Sequence, residues 1–303
     1  MNWIAVTISA YFILAVVFLV DKYLLVSSVP NSKVYAFYVG LLGSVILLVI
    51  PFVDFYIPDT PQLILALTSG AVFVYGLSWL YKTLKLFEVS RVIPAVGGLT
   101  PIFTFLLIYI ISSGKEVFSF FGIIAFVFLI SGSVIINLRK DQSITFTSFK
   151  FSVVSAFLLS LSFVLTKYVY MAQPFWNGFI WKTLGGVTMA IIFYLIFSEV
   201  RENAFRKEKR MSGKTAIIFL LNQTGGAGAS ILQNWAIFLA PLVYIPIVYA
   251  LNGTQYVFLF LFTIILSLKF PKIIKEEISK EAISQKVIAI LLIGAGLFFL
   301  YFK

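Results

Sequence analysis

The chain has 303 residues, of which 61% are hydrophobic and only 12% charged, and its mean hydropathy is +1.03. A single soluble core stops growing near this length, so apolar composition on this scale excludes a soluble enzyme, a disordered chain and a fibrous protein, and leaves an integral membrane protein. The net charge is +11 and there is no His and no Cys, which removes imidazole acid–base chemistry, thiolate metal sites and disulfides; in a membrane protein such a basic excess marks loops beside anionic lipid.

A membrane-spanning helix needs about 20 apolar residues. Read between charge clusters and Pro/Gly punctuation, the sequence predicts ten: Trp3–Val20, Val34–Ile50, Gln62–Leu80, Val92–Ile111, Phe118–Asn137, Phe151–Tyr170, Phe175–Phe197, Thr215–Leu239, Leu242–Leu268 and Val287–Phe302. The runs are continuous, which argues for α-helices over the alternating strands of a barrel. No basic residue precedes the first run and no small-residue cleavage site follows it, so span one is expected to persist as a helix. The loop after span two (PFVDFYIPDTPQ) is acidic, and the polar segment Asp141–Lys150 (DQSITFTSFK) joins spans five and six. Pro271–Lys286 reads in two ways. With Ile274, Ile278 and Ala282 on one face and Glu276–Lys280 as an i, i+4 pair, it is a short amphipathic surface helix; otherwise it is a solvated charged loop.

The basic residues are distributed unevenly. All but four of the 23 Lys and Arg lie in the loops after the odd-numbered spans; the exceptions are Lys115 and Lys303 on the other face, and Lys167 and Lys182 in or near spans. The positive-inside rule places the odd-numbered loops in the cytoplasm and both termini outside, with Asp54 and Asp59 on the outer face.

The two halves repeat each other. Phe18-Leu19-Val20-Asp21-Lys22-Tyr23 matches Phe163-Val164-Leu165-Thr166-Lys167-Tyr168, and Gly40 matches Gly185 at the same offset. Ala95-Val96-Gly97-Gly98 then matches Ala250-Leu251-Asn252-Gly253, with a weaker echo of Gly114-Lys115-Glu116 in Ser279-Lys280-Glu281. Five spans is an odd number, so the second half enters the membrane inverted, an architecture of many secondary transporters.

Ten spans in a 5+5 inverted repeat, a Lys closing the first span of each half, a Gly/Pro-bearing fourth span (IPAVGGLTPIFTF) and a Gly-Lys-Glu before the fifth (SGKEVFSFFGIIAFVFLISG) resemble the drug/metabolite transporter superfamily, EamA type. The resemblance covers nearly the whole chain, with residues 1–140 and 149–303 as the two five-helix repeats. It implies a multi-pass carrier that moves small organic solutes through a central cavity lined by the first four spans of each half, the fifth packing peripherally. Family members typically keep both termini in the cytoplasm, opposite to the charge reading here. The small multidrug relatives rely on a Glu in the middle of the first span; this chain has no acid there before Asp21, which disfavours proton-coupled efflux of cationic drugs.

An unpaired polar group in hydrocarbon costs several kcal/mol, so polar side chains at depth must face protein or water. Span nine carries Asn252-Gly253-Thr254-Gln255 at its midpoint, as a solute site or as interhelical hydrogen bonding. In span eight (NQTGGAGASILQNW), Gln223, Ala227, Ser230 and Asn234 share a helical stripe that reads as a cavity wall, and Gly225, Gly226 and Gly228 read chiefly as close packing. Pro94, Gly97, Gly98, Thr100 and Pro101 predict a bend in span four that serves as a gate or only shapes packing. Lys22 and Lys167 are symmetry mates whose simplest role is snorkelling to the interface. Lys182, a turn or two inside span seven, either snorkels or attracts an anionic group such as a carboxylate. Tyr38 of span two is placed to face the cavity. No Asp or Glu lies at mid-membrane depth.

The sequence therefore predicts an all-α integral membrane protein of ten transmembrane helices in a 5+5 inverted-topology repeat, in the cytoplasmic membrane of a bacterium or archaeon. It is expected to be no enzyme and to need no cofactor. The expected activity is secondary transport, by alternating access, of a small metabolite that is amino-acid-like or otherwise polar or zwitterionic, with Asn252, Thr254, Gln255, Gln223, Asn234, Lys182 and Tyr38 as contacts. Its expected partners are that solute and membrane lipid, with no nucleic acid, as a monomer or homodimer. The alternative is a non-transporting membrane scaffold or sensor on the same bundle.

Overall fold

The computed structural model describes residues 2–25, 32–87, 89–136, 146–203, 213–269 and 280–300. They form α1 (Asn2–Leu25), α2 (Ser32–Leu42) continuing as a 3-10 helix (Gly43–Phe52), α3 (Thr60–Leu86), α4 (Val89–Ile111), α5 (Phe120–Ile135), α6 (Phe146–Ala172), α7 (Phe175–Ile196), a short α8 (Ser198–Asn203), α9 (Gly213–Leu239), a 3-10 turn (Leu242–Tyr244) leading into α10 (Ile245–Ala250), α11 (Asn252–Lys269) and α12 (Lys280–Phe299). Among the described residues there is no strand. Among the described residues, six segments are long and apolar enough to cross a membrane: Asn2–Val20, Ser32–Phe52, Thr60–Leu86, Phe146–Ala172, Phe175–Ile196 and Leu242–Phe262. Three shorter apolar helices, Ala95–Ile111, Phe120–Ile135 and Ile283–Phe299, accompany them.

The helix ends follow local chemistry. The Gly122 amide donates to Ser119 Oγ at 3.2 Å, satisfying an orphan donor at the start of α5. Between α4 and α5 the chain reverses at Ser113 and Gly114, both at positive φ, where the Gly114 amide donates back to the Tyr109 carbonyl at 2.8 Å. Span nine, continuous by hydropathy, breaks at Leu251 into α10 and α11. The break falls directly before the Asn252–Gln255 cluster, and Thr254 Oγ1 donates to the Leu251 carbonyl at 2.7 Å. α4 stays helical through Pro101. Residues 271–279 of the amphipathic segment and 141–145 of the polar connection lie outside the described residues; the remainders begin α12 and α6.

In the bundle α3 packs against α6 and α7, α1 against α9 and α11, α4 against α6 and α10, α2 against α3 and α7, and α5 against α12. Small residues bring backbones together, as expected where lipid removes the hydrophobic drive between helices. A Cβ at Gly70 of α3 would coincide with the Lys182 carbonyl, and one at Gly185 of α7 with the Leu67 carbonyl. Hydroxyls cross-link neighbours: Ser162 Oγ donates to the Ser69 carbonyl and Ser160 Oγ to the Thr100 carbonyl, each at 2.8 Å.

The chain junctions gather at two ends. At one, Trp3 stacks on Tyr244 (5.8 Å), Phe118 lies beside Tyr244 (6.4 Å) and Phe121 stacks on Phe299 (6.3 Å). The segment after the 3-10 helix is tied there to α7: the Tyr56 amide donates to Asn177 Oδ1 (3.1 Å) and Trp181 Nε1 to the Tyr56 carbonyl (2.9 Å). At the other end Tyr35 meets Tyr81 (4.6 Å), Phe87 meets Phe151 (6.1 Å), Lys33 approaches Glu199 (3.8 Å) and Gln285 Nε2 donates to the Ile135 carbonyl (2.6 Å).

Candidate functional site

The buried polar groups converge on one place near the first end. Lys182 lies seven residues into α7, about 10 Å along the helix, and is 7% exposed. Its Nζ donates to Asn234 Oδ1 of α9 at 2.7 Å, and the Phe73 ring of α3 lies 5.5 Å from the ammonium. Tyr170 of α6 donates its hydroxyl to the same Asn234 oxygen at 3.0 Å, while Asn234 Nδ2 donates to the Ser230 carbonyl one turn back at 2.8 Å. The Asn234 oxygen is thus held by two donors, and its amide nitrogen uses one of its two N–H groups. Lys182 keeps two of its three N–H donors beyond this bond. Every described Asp or Glu side chain is exposed or half-buried, and none contacts Lys182.

A second polar group adjoins the first. Tyr11 of α1 donates to the Val248 carbonyl of α10 at 3.2 Å and accepts from Gln233 Nε2 at 3.5 Å. Tyr249, 5% exposed, stacks on Phe163 of α6 with ring centroids 3.8 Å apart. Phe163 in turn lies 6.2 Å from Phe73, the ring beside Lys182, and the Tyr249 hydroxyl has no hydrogen-bond partner. An orphan buried hydroxyl costs about 1–3 kcal/mol and is uncommon enough to need a reason.

A cleft of about 690 Å³ lies at this end, lined by Pro51, Phe52, Val53 and Asp54, by Pro174, Phe175, Trp176 and Asn177, and by Trp235 and Phe238. Its aromatic lining packs directly on the cluster: Tyr170 lies 5.5 Å from Phe175 and 5.9 Å from Phe238, and Phe175 meets Trp235 edge-on at 4.5 Å. The rings of Phe175 and Phe238 thus line the cleft and also pack on Tyr170, which holds the Asn234 oxygen.

Of the seven residues expected to contact a solute, the structure brings Lys182 and Asn234 together. Asn252 donates from Nδ2 to Tyr256 Oη one turn on, at 3.3 Å, at the junction of α4, α5 and α11 near Gly97 and Ser133. The Thr254 hydroxyl is bonded to its own helix. Gln255 and Gln223 are half-buried, and Tyr38 is 37% exposed beside Phe37. Lys167 is 6% exposed and does not snorkel: its Nζ donates to the Ile237 and Phe238 carbonyls, each at 3.1 Å. The side chain of Lys22 lies outside the described residues. Sequence reasoning missed Tyr170, Tyr249 and Tyr11. A Tyr in mid-span, where an interfacial belt has no place for it, was the available signal for Tyr11 and Tyr249. Among the described residues no three His, Cys, Asp or Glu side chains cluster as a metal site would require.

No protein-family model and no curated protein matches the chain. A solved structure described as "Crystal structure of protein" superposes with a TM-score of 0.68 at 13% identity, covering 98% of this chain and 96% of its own. At that identity the likeness is one of fold alone.

Proposed function

We propose that the chain is a secondary membrane carrier for a small polar or zwitterionic metabolite, built as ten spans in a 5+5 inverted repeat of the drug/metabolite transporter, EamA type. The observation that carries this reading is the Lys182–Asn234–Tyr170 cluster: a cation and an amide enclosed in an apolar bundle, with Tyr170 packed on the rings of a nearby cleft. Polar groups at such a depth are costly, and in membrane proteins they commonly mark solute pathways. The ring layer of Phe175, Trp235 and Phe238 would be the gate at this end.

Two features of the packing support the repeat. The α1–α9 contact has its counterpart in α6–α3, and α4–α6 has its counterpart in α11–α1, which is what exchanging the two halves requires. The described helix ends also alternate. Trp3 and the helix ends that flank the connections after spans two, four, six and eight lie at one end, and the described ends that flank the connections after the odd-numbered spans lie at the other. In sequence, the connections after the odd-numbered spans hold most of the Lys and Arg, and Asp54 and Asp59 follow span two. By the positive-inside rule the second end faces the cytoplasm, and a cytoplasmic membrane of a bacterium or archaeon is the setting. Rocking one repeat against the other would supply alternating access.

Counterflow in proteoliposomes tests the activity. Vesicles loaded with unlabelled amino acids should accumulate the labelled amino acids through the purified protein and not without it. The variants Asn252→Ala and Gln255→Ala should insert normally and abolish uptake; unchanged uptake in both removes the span-nine site. Absence of counterflow for every solute that stabilises the purified protein favours the scaffold or sensor.

A further inference from the structure

We infer that Lys182 and Tyr249 form the seat of a carboxylate, so that the solute is an organic acid or the acid end of a zwitterion, and cations and neutral amides are excluded. This rests on the carrier reading and narrows it to a substrate class. A buried ammonium needs an anion or several acceptors. Lys182 has one acceptor, Asn234 Oδ1, and a ring face at 5.5 Å. Both lone-pair positions of that amide oxygen are taken by Lys182 and Tyr170, so Asn234 positions the ammonium without neutralising it.

Tyr249 is the independent observation. Its hydroxyl is buried and has no hydrogen-bond partner, and its ring stacks on Phe163, which lies 6.2 Å from Phe73, the ring that Lys182 Nζ faces at 5.5 Å. The cluster thus contains unused donors on the Lys182 ammonium, the Tyr249 phenol and the second N–H of Asn234. A carboxylate has two oxygens that accept and carries the missing charge. Phe73 and Phe163 beside these donors offer apolar ring faces, which suit the hydrocarbon tail of an organic acid and give no further cation for a doubly charged inorganic anion.

The test uses purified full-length protein in detergent, with thermal unfolding and equilibrium binding as readouts. The probes are acetate, hexanoate, phenylacetate and L-phenylalanine, against phenylacetamide, phenethylamine and sodium chloride at equal concentration. At least one carboxylate should raise the Tm by several degrees, with no shift from the amide, the amine or chloride. Lys182→Met should weaken that binding about tenfold or more. Tyr249→Phe keeps the stack on Phe163 and loses only a hydroxyl without a partner. Its ligand-free Tm should be unchanged or higher, while carboxylate affinity falls several-fold. Stabilisation by none of the carboxylates, equal stabilisation by the amide or by chloride, or unchanged affinity in Lys182→Met overturns the seat. If Lys182→Met does not fold, unchanged affinity in Tyr249→Phe overturns it alone. Carboxylate binding without counterflow retains the seat and removes the carrier; counterflow of an amine or amide without carboxylate binding does the reverse.

Discussion

Two buried lysines show how much a residue's role depends on what another helix brings to it. Lys167 and Lys182 are equally enclosed, yet Lys167 meets two carbonyls in the last turn of α9. Those carbonyls have no partner within their own helix, and they carry the negative end of its dipole. A snorkelling role requires only a nearby interface, whereas this role requires the end of a helix 70 residues further along the chain. Removing the ammonium leaves the carbonyls buried and unpaired, so Lys167→Met should cost about 1.5–3 kcal/mol, the range for hydrogen bonds to charged groups. Thermal unfolding in detergent measures it, and an unchanged Tm removes the capping role. Lys182 and Asn234 were legible as polar groups at depth because amides and cations stand out in apolar runs. Their partner Tyr170 was not, because a Tyr near the end of a span reads as interfacial.

Glycines make the same point for elements. The Gly225, Gly226 and Gly228 run in α9 is conspicuous in sequence, but its closest neighbour is Val17, 3.3 Å from a Cβ at Gly225, and Gly228 faces open space. The tight contact is between α3 and α7, at Gly70 and Gly185. Gly185→Ala should therefore force the helices that carry Phe73 and Lys182 apart, costing at least the roughly 1–3 kcal/mol of an overpacked core, and should reduce the folded fraction on size exclusion. Gly228→Ala has no clash to meet and gains helix propensity of up to about 1 kcal/mol, so its Tm should hold or rise. If both variants behave alike, the packing contrast is wrong. Span nine adds a second case. Its hydropathy is continuous, so the break at Leu251 was invisible. The Thr254 hydroxyl that bonds the Leu251 carbonyl looked like a ligand group rather than part of the break.

At the scale of the molecule, the described charges separate by end. Asp54 lines the cleft with Trp235, while Lys33 pairs with Glu199 and Lys82 lies over Trp79 and Phe151 at the other end. The chain has no Cys, so single cysteines report topology cleanly. In intact cells Asp59→Cys should react with an impermeant maleimide, and Arg206→Cys only after permeabilisation. The reverse pattern would invert the orientation, and reaction of both from outside would contradict two faces of opposite sidedness.

Composition and periodicity alone determined that this is a helical protein with the length and hydropathy to cross a membrane, and roughly where its helices run. These are properties of local stretches, since hydropathy, helix length and flanking charge act on contiguous residues. The partner of each polar side chain was decided only by the tertiary structure. It set Lys182, Asn234 and Tyr170 on one oxygen, held Lys167 at a helix end and left the Tyr249 hydroxyl without a partner. In a bundle where nearly every surface is apolar, hydropathy does not distinguish one pairing of helices from another. Shape at glycine contacts and the few buried hydrogen bonds select the pairing, and both depend on residues far apart in the chain.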